Sequence, residues 1–347
     1  MKLSQALQLL FLISYLAIAS TKLACLDREG KQVPWFTLIK FPGKLTNGAP
    51  RYAYLDAHME ASYKVISGAL VDTKNEALPR TIESINNLAA HHSNVYIYND
   101  EPAGSEASTS NNAHAKGILA YDSSTETGVY IMHSIPKFPS VSNGKIDFTI
   151  PYTASNYGQN AYCISLDKEL LGHLMNNIPL ERPTGYHGTG LFSGIRSTSK
   201  DNFAISQFNL LNGDNQWFIT KNPKFNGYLY EDIIIPYFKT PLAVQSWGRP
   251  YQASICSGKG GYSSVNINTI SFGGKDTWDH TSDHSKWAIT TGSHGQKLAC
   301  LCDMNRMESQ TKRGGSCMCS DNTILYTALT KIAVQTDSCS GTKVVTH

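Results

Sequence analysis

The sequence predicts a mixed α/β fold, because apolar residues follow strand spacing in some segments and helical spacing in others. Of its 347 residues, 41% are hydrophobic and 10% are aromatic, which is enough to fill the core of a protein this size. Only 16% are charged, and the net charge is +3. This balance excludes a disordered tail, a coiled coil and a highly charged nucleic-acid-binding arm. The length predicts two domains or one large two-lobed domain.

The N-terminal segment indicates export from the cytoplasm. Lys2 precedes an apolar stretch, residues 6–19, in which the small residues Ala17 and Ala19 stand two apart. This pattern is typical of a secretory signal peptide, which we expect over residues 1–19. Its ~14 apolar residues fall short of the ~20 that a membrane-spanning helix needs, so no membrane anchor is expected. The sequence therefore predicts a protein that is secreted or sent to the lysosome through its signal peptide.

Strand and helix signals alternate along the rest of the chain. Runs of apolar, β-branched and aromatic residues predict strands. These runs are residues 35–41, 94–98, 128–133 and 232–238. Apolar residues at helical spacing predict one helix over residues 81–91 and another that begins after Asp167, which would cap it. Each helix is expected to cover a sheet.

A passage rich in Gly and Pro, residues 183–194, marks the candidate boundary between two halves of the mature chain. We therefore expect an N-terminal lobe over residues 20–182 and a C-terminal lobe over residues 183–347. A polar stretch, residues 103–112, is expected to be a surface loop that leads into the first candidate site segment.

Eight cysteines follow the predicted signal peptide, and an even number in an oxidising compartment predicts four disulfide bonds. The pairs Cys300/Cys302 and Cys317/Cys319 have Cys-x-Cys spacing, whereas zinc sites favour Cys-x-x-Cys, so no metal is expected there. Nested bonds from Cys300 to Cys319 and from Cys302 to Cys317 would close a hairpin around the turn at Arg313.

Two His-x-Lys tripeptides are the candidate chemical groups, His114-Ala-Lys116 and His284-Ser-Lys286. On a strand, residues two apart point to the same face, so each tripeptide would offer one imidazole and one ammonium group to a common surface. They lie about half a mature chain apart, which suits one tripeptide in each lobe. The pattern alone is weak, because it also fits two strands with solvated polar faces.

Longer motifs surround the tripeptides. They are Cys300-Leu-Cys-Asp-Met-Asn-Arg306 followed by Arg313-Gly-Gly315, Asp283-His-Ser-Lys-Trp287, His114-Ala-Lys-Gly-Ile118, His133-Ser-Ile-Pro-Lys-Phe-Pro139, Tyr157-Gly-Gln159, Lys224-Phe225 before Tyr228-Leu-Tyr230, and Trp35-Phe36. In these motifs the chain resembles the deoxyribonuclease II family of acid endonucleases. The resemblance covers nearly the whole mature chain and is weakest over residues 184–216.

The resemblance implies the fold of the phospholipase D superfamily, which has two similar α/β lobes, each contributing one His-x-Lys strand to a central cleft. It also implies three disulfide bonds. They are Cys25–Cys163, Cys256–Cys339 and Cys300–Cys319. Cys302 and Cys317 are additions to the family pattern, which usually has Gly in place of Cys302, and their positions would let them pair with each other.

The activity that the resemblance implies is metal-independent cleavage of DNA, with His114, Lys116, His284 and Lys286 as the catalytic residues and no cofactor. One neutral histidine would attack phosphorus and form a phosphohistidine, while the other would protonate the leaving oxygen. The lysines would stabilise the equatorial oxygens, a task that a metal ion often performs. The implied products carry a 3′-phosphate and a 5′-hydroxyl. Crowded cations lower imidazole pKa values, so activity is expected to peak in mild acid.

Four further residues are expected to support the site. His133 resembles a family histidine near the site, and a structural hydrogen-bonding role fits it equally well. Asp283 would either orient His284 or begin a strand. Asp303 and Asn305 are expected to brace the site from behind.

Two other functions stay open at this stage. One is a secreted, non-catalytic protein of the same fold that binds nucleic acid or a host partner. The other is a phosphodiesterase that acts on RNA or a phospholipid. The presence of both His-x-Lys tripeptides argues against lost catalysis. The sequence leaves open whether the chain forms a homodimer and whether it acts in the lysosome or outside the cell.

Overall fold

Two large β-sheets, one of eight strands and one of nine, dominate the described part of the chain. The computed structural model describes residues 22–45, 51–67, 75–105, 112–292 and 295–339. The predicted signal peptide, residues 1–19, lies outside these ranges, as does part of the predicted loop at 103–112. No helix in the described ranges combines the length and the apolar character needed to cross a bilayer. The prediction of a mixed α/β protein is confirmed, with more sheet than helix.

The first twelve strands, in chain order, are β1 (Cys25–Leu26), β2 (Gln32–Val33), β3 (Trp35–Lys40), β4 (Arg51–Asp56), β5 (Lys64–Ser67), β6 (Ser93–Asn99), β7 (Lys116–Asp122), β8 (Thr127–His133), β9 (Ser140–Ser142), β10 (Lys145–Asp147), β11 (Gln159–Leu166) and β12 (Gly185–Gly188). Eight of them form the first sheet of the described chain, in the order β12-β6-β7-β8-β11-β3-β4-β5. All its neighbouring strands are antiparallel.

The remaining strands are β13 (Phe203–Asn209), β14 (Asn215–Lys221), β15 (Leu242–Gln245), β16 (Ser264–Ser271), β17 (Thr277–Asp279), β18 (Trp287–Thr290), β19 (Ala299–Cys302), β20 (Gly315–Ser320) and β21 (Ala333–Thr336). They form the second sheet, in the order β13-β14-β20-β19-β18-β15-β16-β17, with β21 paired to β16. The α-helices of the described ranges are α1 (Ala77–Asn86), α2 (Tyr152–Ser155), α3 (Lys168–Asn177), α4 (Ile235–Phe238) and α5 (Thr323–Ile332).

The two sheets share one apolar core, which contains buried residues from both. Tyr130 of β8 packs against Phe218 of β14, with ring centroids 5.9 Å apart. The indole N–H of Trp35 in β3 donates a hydrogen bond to Asp214, 3.0 Å away, in the turn before β14. Since β3, β7 and β11 are buried along their whole length, their sequences lack the regular alternation of polar and apolar residues that a half-exposed strand shows.

Two sequence predictions about helices have different outcomes. The carboxylate of Asp167 accepts a hydrogen bond from the N–H of Leu170, 2.9 Å away, so the predicted cap of α3 is confirmed. The strand predicted at residues 232–238 is wrong, because the segment is a single π-helical turn, Tyr230–Ile234, followed by α4. Its isoleucines are buried on several sides of the helix, which produces an apolar run that spacing cannot distinguish from a buried strand.

The helix predicted over residues 81–91 begins earlier and ends earlier, as α1 at Ala77–Asn86. Pro79 lies in its first turn, where the missing N–H needs no partner within the helix. Strand β12 pairs with β6, so the first sheet extends beyond residue 183. The division into lobes over residues 20–182 and 183–347 stays a prediction.

Four disulfide bonds join all eight cysteines. The pairs are Cys25–Cys163, Cys256–Cys339, Cys300–Cys319 and Cys302–Cys317. The last two bonds link directly opposite residues of β19 and β20, and all four of these cysteines are buried. The added pair therefore crosslinks the same hairpin as the family pair, two residues closer to its turn.

The stability that each nested disulfide bond contributes to the hairpin should depend on whether the other bond is present. With one bond intact, the other closes a loop of only a few residues. We therefore expect Cys302→Ala/Cys317→Ala, or Cys300→Ala/Cys319→Ala, to lower the free energy of unfolding by about 2 kcal/mol, and removal of both bonds to lower it by about 5 kcal/mol. Urea unfolding of the three variants and the wild type measures these values. Strictly additive losses would contradict the expectation.

Candidate active site

The two His-x-Lys tripeptides lead into strands at corresponding points. Lys116 is the first residue of β7, and His114 precedes that strand. Lys286 directly precedes β18, which begins at Trp287. The expectation that both tripeptides lie within strands is therefore wrong, because the backbone of each histidine forms its hydrogen bond outside the strand ladder.

Each histidine backbone is held by a glycine that is distant in sequence. The N–H of His114 donates to the carbonyl of Gly314, and the N–H of His284 donates to the carbonyl of Gly158, both at 2.8 Å. A Cβ atom at Gly314 would lie only 1.9 Å from the carbonyl oxygen of Glu181. The close approach of another backbone therefore requires glycine at position 314.

The second glycine meets the same constraint from a side chain. A Cβ atom at Gly158 would lie 2.4 Å from a carboxylate oxygen of Asp283. Asp283 is fully buried, and its carboxylate accepts hydrogen bonds from the indole N–H of Trp278 at 2.9 Å and from the N–H of Ser285 at 2.7 Å. Asp283 thus fixes the backbone on both sides of His284.

The two tripeptides lie close enough to change one another's pKa values. Burial lowers the pKa of His114 well below its ordinary value, and the charges of Lys116 and Lys286 lower it further. Burial and the charges of Lys286 and Lys116 lower the pKa of His284 to about 3. The charge of each lysine therefore acts on both histidines, which puts both lysines within electrostatic range of both imidazoles.

The ring of His114 is oriented by a backbone acceptor. Its Nδ1 lies 2.6 Å from the carbonyl oxygen of Asp303, and this contact requires a proton on Nδ1. In the neutral ring, Nε2 therefore carries the lone pair. That nitrogen lies 3.9 Å from a carboxylate oxygen of Asp100, whose charge opposes the other effects and raises the pKa of His114.

The ring of His284 has aromatic surroundings instead. It stacks on Tyr157 with ring centroids 4.1 Å apart, and Trp247 lies 4.9 Å away in a tilted arrangement. Its Nε2 is buried and has no hydrogen-bond partner within the described ranges. The backbone of each histidine is thus held by a glycine carbonyl, but the ring of His114 lies beside polar groups and the ring of His284 lies against aromatic rings.

Asp100 holds two cations at the end of β6. Its carboxylate forms an ion pair with Lys116 and accepts a hydrogen bond from Arg313 at 2.9 Å. Although burial opposes the effect, the charges of Lys116, His114 and Arg313 hold the pKa of Asp100 below its ordinary value. No sequence motif identifies Asp100, which follows an apolar strand.

Lys286 is the less compensated of the two lysines. Its ammonium donates to the carbonyl of His284 at 2.5 Å, and no carboxylate of the described chain forms an ion pair with it. Burial, followed by the charge of Lys116, lowers the pKa of Lys286 to about 7. Its charge therefore depends on pH near neutrality.

The structure places His133 within electrostatic range of Lys116, without a reactive contact. His133 ends β8 and is fully buried. Its Nδ1 accepts a hydrogen bond from the N–H of Ile135 at 3.2 Å, and burial and the charge of Lys116 lower its pKa to about 3. His133 is therefore a neutral residue that holds the turn after β8. Asn305 is almost completely buried, and its Oδ1 has no partner among the described residues.

A pair of buried acids lies behind His114. Asp303 accepts hydrogen bonds from the N–H and hydroxyl of Ser316, and burial raises its pKa to about 7. Burial and the charge of Asp303 raise the pKa of Glu181 well above its ordinary value. Neither carboxylate oxygen of Glu181 has a hydrogen-bond partner in the part of the chain that the structure describes. The pair therefore retains a proton near neutral pH, and no sequence motif pointed to Glu181.

The described residues contain no cluster of three or more His, Cys, Asp or Glu side chains arranged to hold a metal ion. The cations that the site itself provides are Lys116, Lys286 and Arg313.

Known proteins match the chain over nearly its whole length. A model of the deoxyribonuclease II family matches residues 24–339. Plancitoxin-1 of Acanthaster planci is 27% identical, covering 96% of this chain and 97% of that protein. Cell-death-related nuclease 7 of Caenorhabditis elegans is 28% identical, covering 96% and 94%. Deoxyribonuclease-2-beta of Rattus norvegicus is 25% identical, covering 97% and 99%.

The buried acid pair predicts a pH-dependent stability difference. Because the folded state raises the pKa of Glu181, the folded protein retains a proton that the unfolded chain releases above pH ~4.3. The wild type therefore loses stability relative to Glu181→Gln as pH rises from 4 to 8. The difference in the free energy of unfolding between the two proteins should change by about 1.4 kcal/mol for each pH unit over which Glu181 is protonated in the folded protein and ionised in the unfolded chain.

Urea unfolding of Glu181→Gln and the wild type at several pH values measures this difference. Glu169→Gln, an exposed position on α3, is the matched control and should differ from the wild type by a constant amount. A constant difference for Glu181→Gln as well would show that Glu181 is ionised in the folded protein.

Proposed function

The chain belongs to the deoxyribonuclease II family and is a nuclease that hydrolyses DNA, and we propose that it cuts the DNA backbone with His114, Lys116, His284 and Lys286. The observation that carries this proposal is that adjoining residues hold both tripeptides. The N–H of Cys302 donates to the carbonyl of Lys286 at 2.9 Å, and the carbonyl of Asp303 accepts a hydrogen bond from Nδ1 of His114 at 2.6 Å. Two imidazoles and two ammonium groups brought together in this way suit one phosphodiester.

The proposed reaction has two steps. In the first, a neutral imidazole nitrogen forms a bond to phosphorus, the bond from phosphorus to O5′ breaks, and the other histidine gives its proton to O5′. In the second, the oxygen of a water molecule forms a bond to phosphorus, the bond from phosphorus to the imidazole nitrogen breaks, and the second histidine accepts a proton from that water. The products are a 5′-hydroxyl and a 3′-phosphate, and the two histidines return to their starting protonation states.

The lysines supply the positive charge that a phosphoryl transition state requires. Lys116 forms an ion pair with Asp100. Lys286, whose pKa is lowered to about 7, is charged in acid and neutral in alkali. The proposed site therefore reaches its full positive charge in the acidic range, without assistance from a metal ion.

The compartment fits this chemistry. Four disulfide bonds are typical of secreted and lysosomal proteins. We propose that the signal peptide over residues 1–19 directs the chain into this pathway, where acidic conditions supply the protons that the histidines need.

The roles of the histidines can be tested by plasmid nicking at pH ~5 in excess chelator. We expect the wild type to nick DNA, and His114→Ala and His284→Ala each to lose at least ~1,000-fold in rate, because nucleophilic and acid–base catalysis both fail. His187→Ala, on β12, is the control and should retain wild-type activity. Loss of wild-type activity in chelator would contradict metal independence.

The same assay separates the alternatives. A folded wild type that binds DNA without nicking it would favour the non-catalytic binding protein. Cleavage of RNA or of a phospholipid, with DNA left intact, would favour the other phosphodiesterase.

The pH dependence tests the lysines. We expect kcat/KM to peak in acid and to fall as the imidazolium that acts as the acid loses its proton. Above pH 7 the slope should reach about −2 on a log scale, because Lys286 then loses its proton as well. Lys286→Arg keeps the charge, so its slope above pH 7 should approach about −1, whatever its maximal rate. Equal slopes for both proteins would show that Lys286 does not titrate in this range.

A further inference from the structure

A cleft lined by two arginines lies beside the segment that carries His114. Arg182 and Arg196 line it together with Tyr96, Asn112 and Ser197, and its volume is about 280 Å³. Both arginines are exposed. Part of the cleft wall belongs to residues 184–216, the segment that resembles the family least. The proposed reaction uses none of these side chains.

The cleft and His114 belong to one hydrogen-bonded unit. The carbonyl of Arg182 accepts a hydrogen bond from the N–H of Ala113 at 3.2 Å. The side-chain amide of Asn112 donates to the hydroxyl of Thr184 at 3.0 Å. An anion held in the cleft would therefore have a defined position relative to His114.

The backbone of Arg182 is adapted to this contact. It lies in the left-handed region, with a φ of 57°, at the end of the short 3₁₀-helix Ile178–Glu181. A non-glycine residue rarely adopts this conformation, and it has an energetic cost of roughly 1 kcal/mol. In this conformation the carbonyl of Arg182 meets Ala113 while its side chain lines the cleft.

The two cleft arginines differ from three less exposed arginines in having no acidic partner within the described ranges. Arg306 pairs with Glu231, Arg51 with Asp276, and Arg313 with Asp100. An arginine paired in this way has its charge compensated inside the protein. Arg182 and Arg196 instead present uncompensated guanidinium groups in a concave surface, and the planar fork of a guanidinium matches the oxygens of a phosphate.

We propose that Arg182 and Arg196 bind the DNA backbone at a phosphate that neighbours the one being cut, on the side of the site where His114 lies. This inference rests on the proposed function, since it extends the same substrate along the surface. The cleft contributes binding and positioning, while the chemical step stays with the two His-x-Lys tripeptides.

The test compares Arg182→Gln/Arg196→Gln with a control variant that loses the same charge, Lys145→Gln/Lys239→Gln. Lys145 and Lys239 are exposed, neither lines the cleft, and Lys239 has a left-handed backbone like that of Arg182. On a 30-base-pair duplex, we expect the arginine variant to raise KM about tenfold or more with kcat little changed, because the lost contact is equally strong before and during the reaction.

Two further readouts identify the ligand as a backbone phosphate. The dependence of log KM on log salt concentration should become shallower by about 0.9, which corresponds to one phosphate that is no longer neutralised. Cleavage of bis(p-nitrophenyl) phosphate, which has one phosphodiester and no neighbouring phosphate, should be the same in the wild type and the arginine variant. A duplex KM equal to that of the control variant would overturn the proposal.

Binding measured without catalysis separates this inference from the proposed function. Fluorescence anisotropy of the labelled duplex with His284→Ala should show weaker binding when the two arginine changes are added. If that weakening occurs while the wild type cuts no DNA, the cleft inference stands and the proposed function fails. If the wild type cuts DNA and the arginine changes leave binding unaltered, the cleft inference fails and the proposed function stands.

Discussion

The candidate site depends on the ion pairs of one buried carboxylate, Asp100. Several positive groups converge in a part of the protein where burial disfavours charge, and an unpaired buried charge is costly. Asp100 compensates Lys116 and Arg313 and lies close to His114. It also ties the end of β6 to the segment that precedes β20, so the same contact that permits the charge also joins parts of the chain that are distant in sequence.

Not every positive charge in the site is paired with a carboxylate, and this makes the charge of the site depend on pH. Lys286 has no carboxylate partner in the described chain, so burial and its fellow cation lower its pKa to about 7. The imidazoles respond in the same direction, and both have lowered pKa values. The acid pair of Asp303 and Glu181 retains a proton instead of adding negative charge behind His114. Burial in the site thus favours the uncharged form of each titratable group that is not stabilised by Asp100.

The sequence could predict features that depend on local pattern and miss those that depend on tertiary partners. The strand at 35–40 was predicted closely because both its faces are buried and its apolar run is continuous. The run at 232–238 has the same appearance, yet it is helical, because helices buried on several sides also lack periodicity. The His-x-Lys tripeptides could be located from their motifs. Asp100 and Glu181 could not, because their roles follow from neighbours more than ten residues away in the chain.

A phosphodiester supplies the charge that the free site lacks. Its negative oxygens would lie among groups whose pKa values are lowered by burial and by neighbouring positive charges, and binding it would raise those values again. An imidazole that is neutral in the free protein would then hold a proton in the complex, and Lys286 would remain charged over a wider pH range. Substrate binding would therefore itself cause protonation of the histidine that is proposed to act as the acid. Such a site would hold less positive charge when empty than around the group that it is proposed to cut, which is how an anionic substrate can take the place of a permanently bound metal ion in organising the reaction.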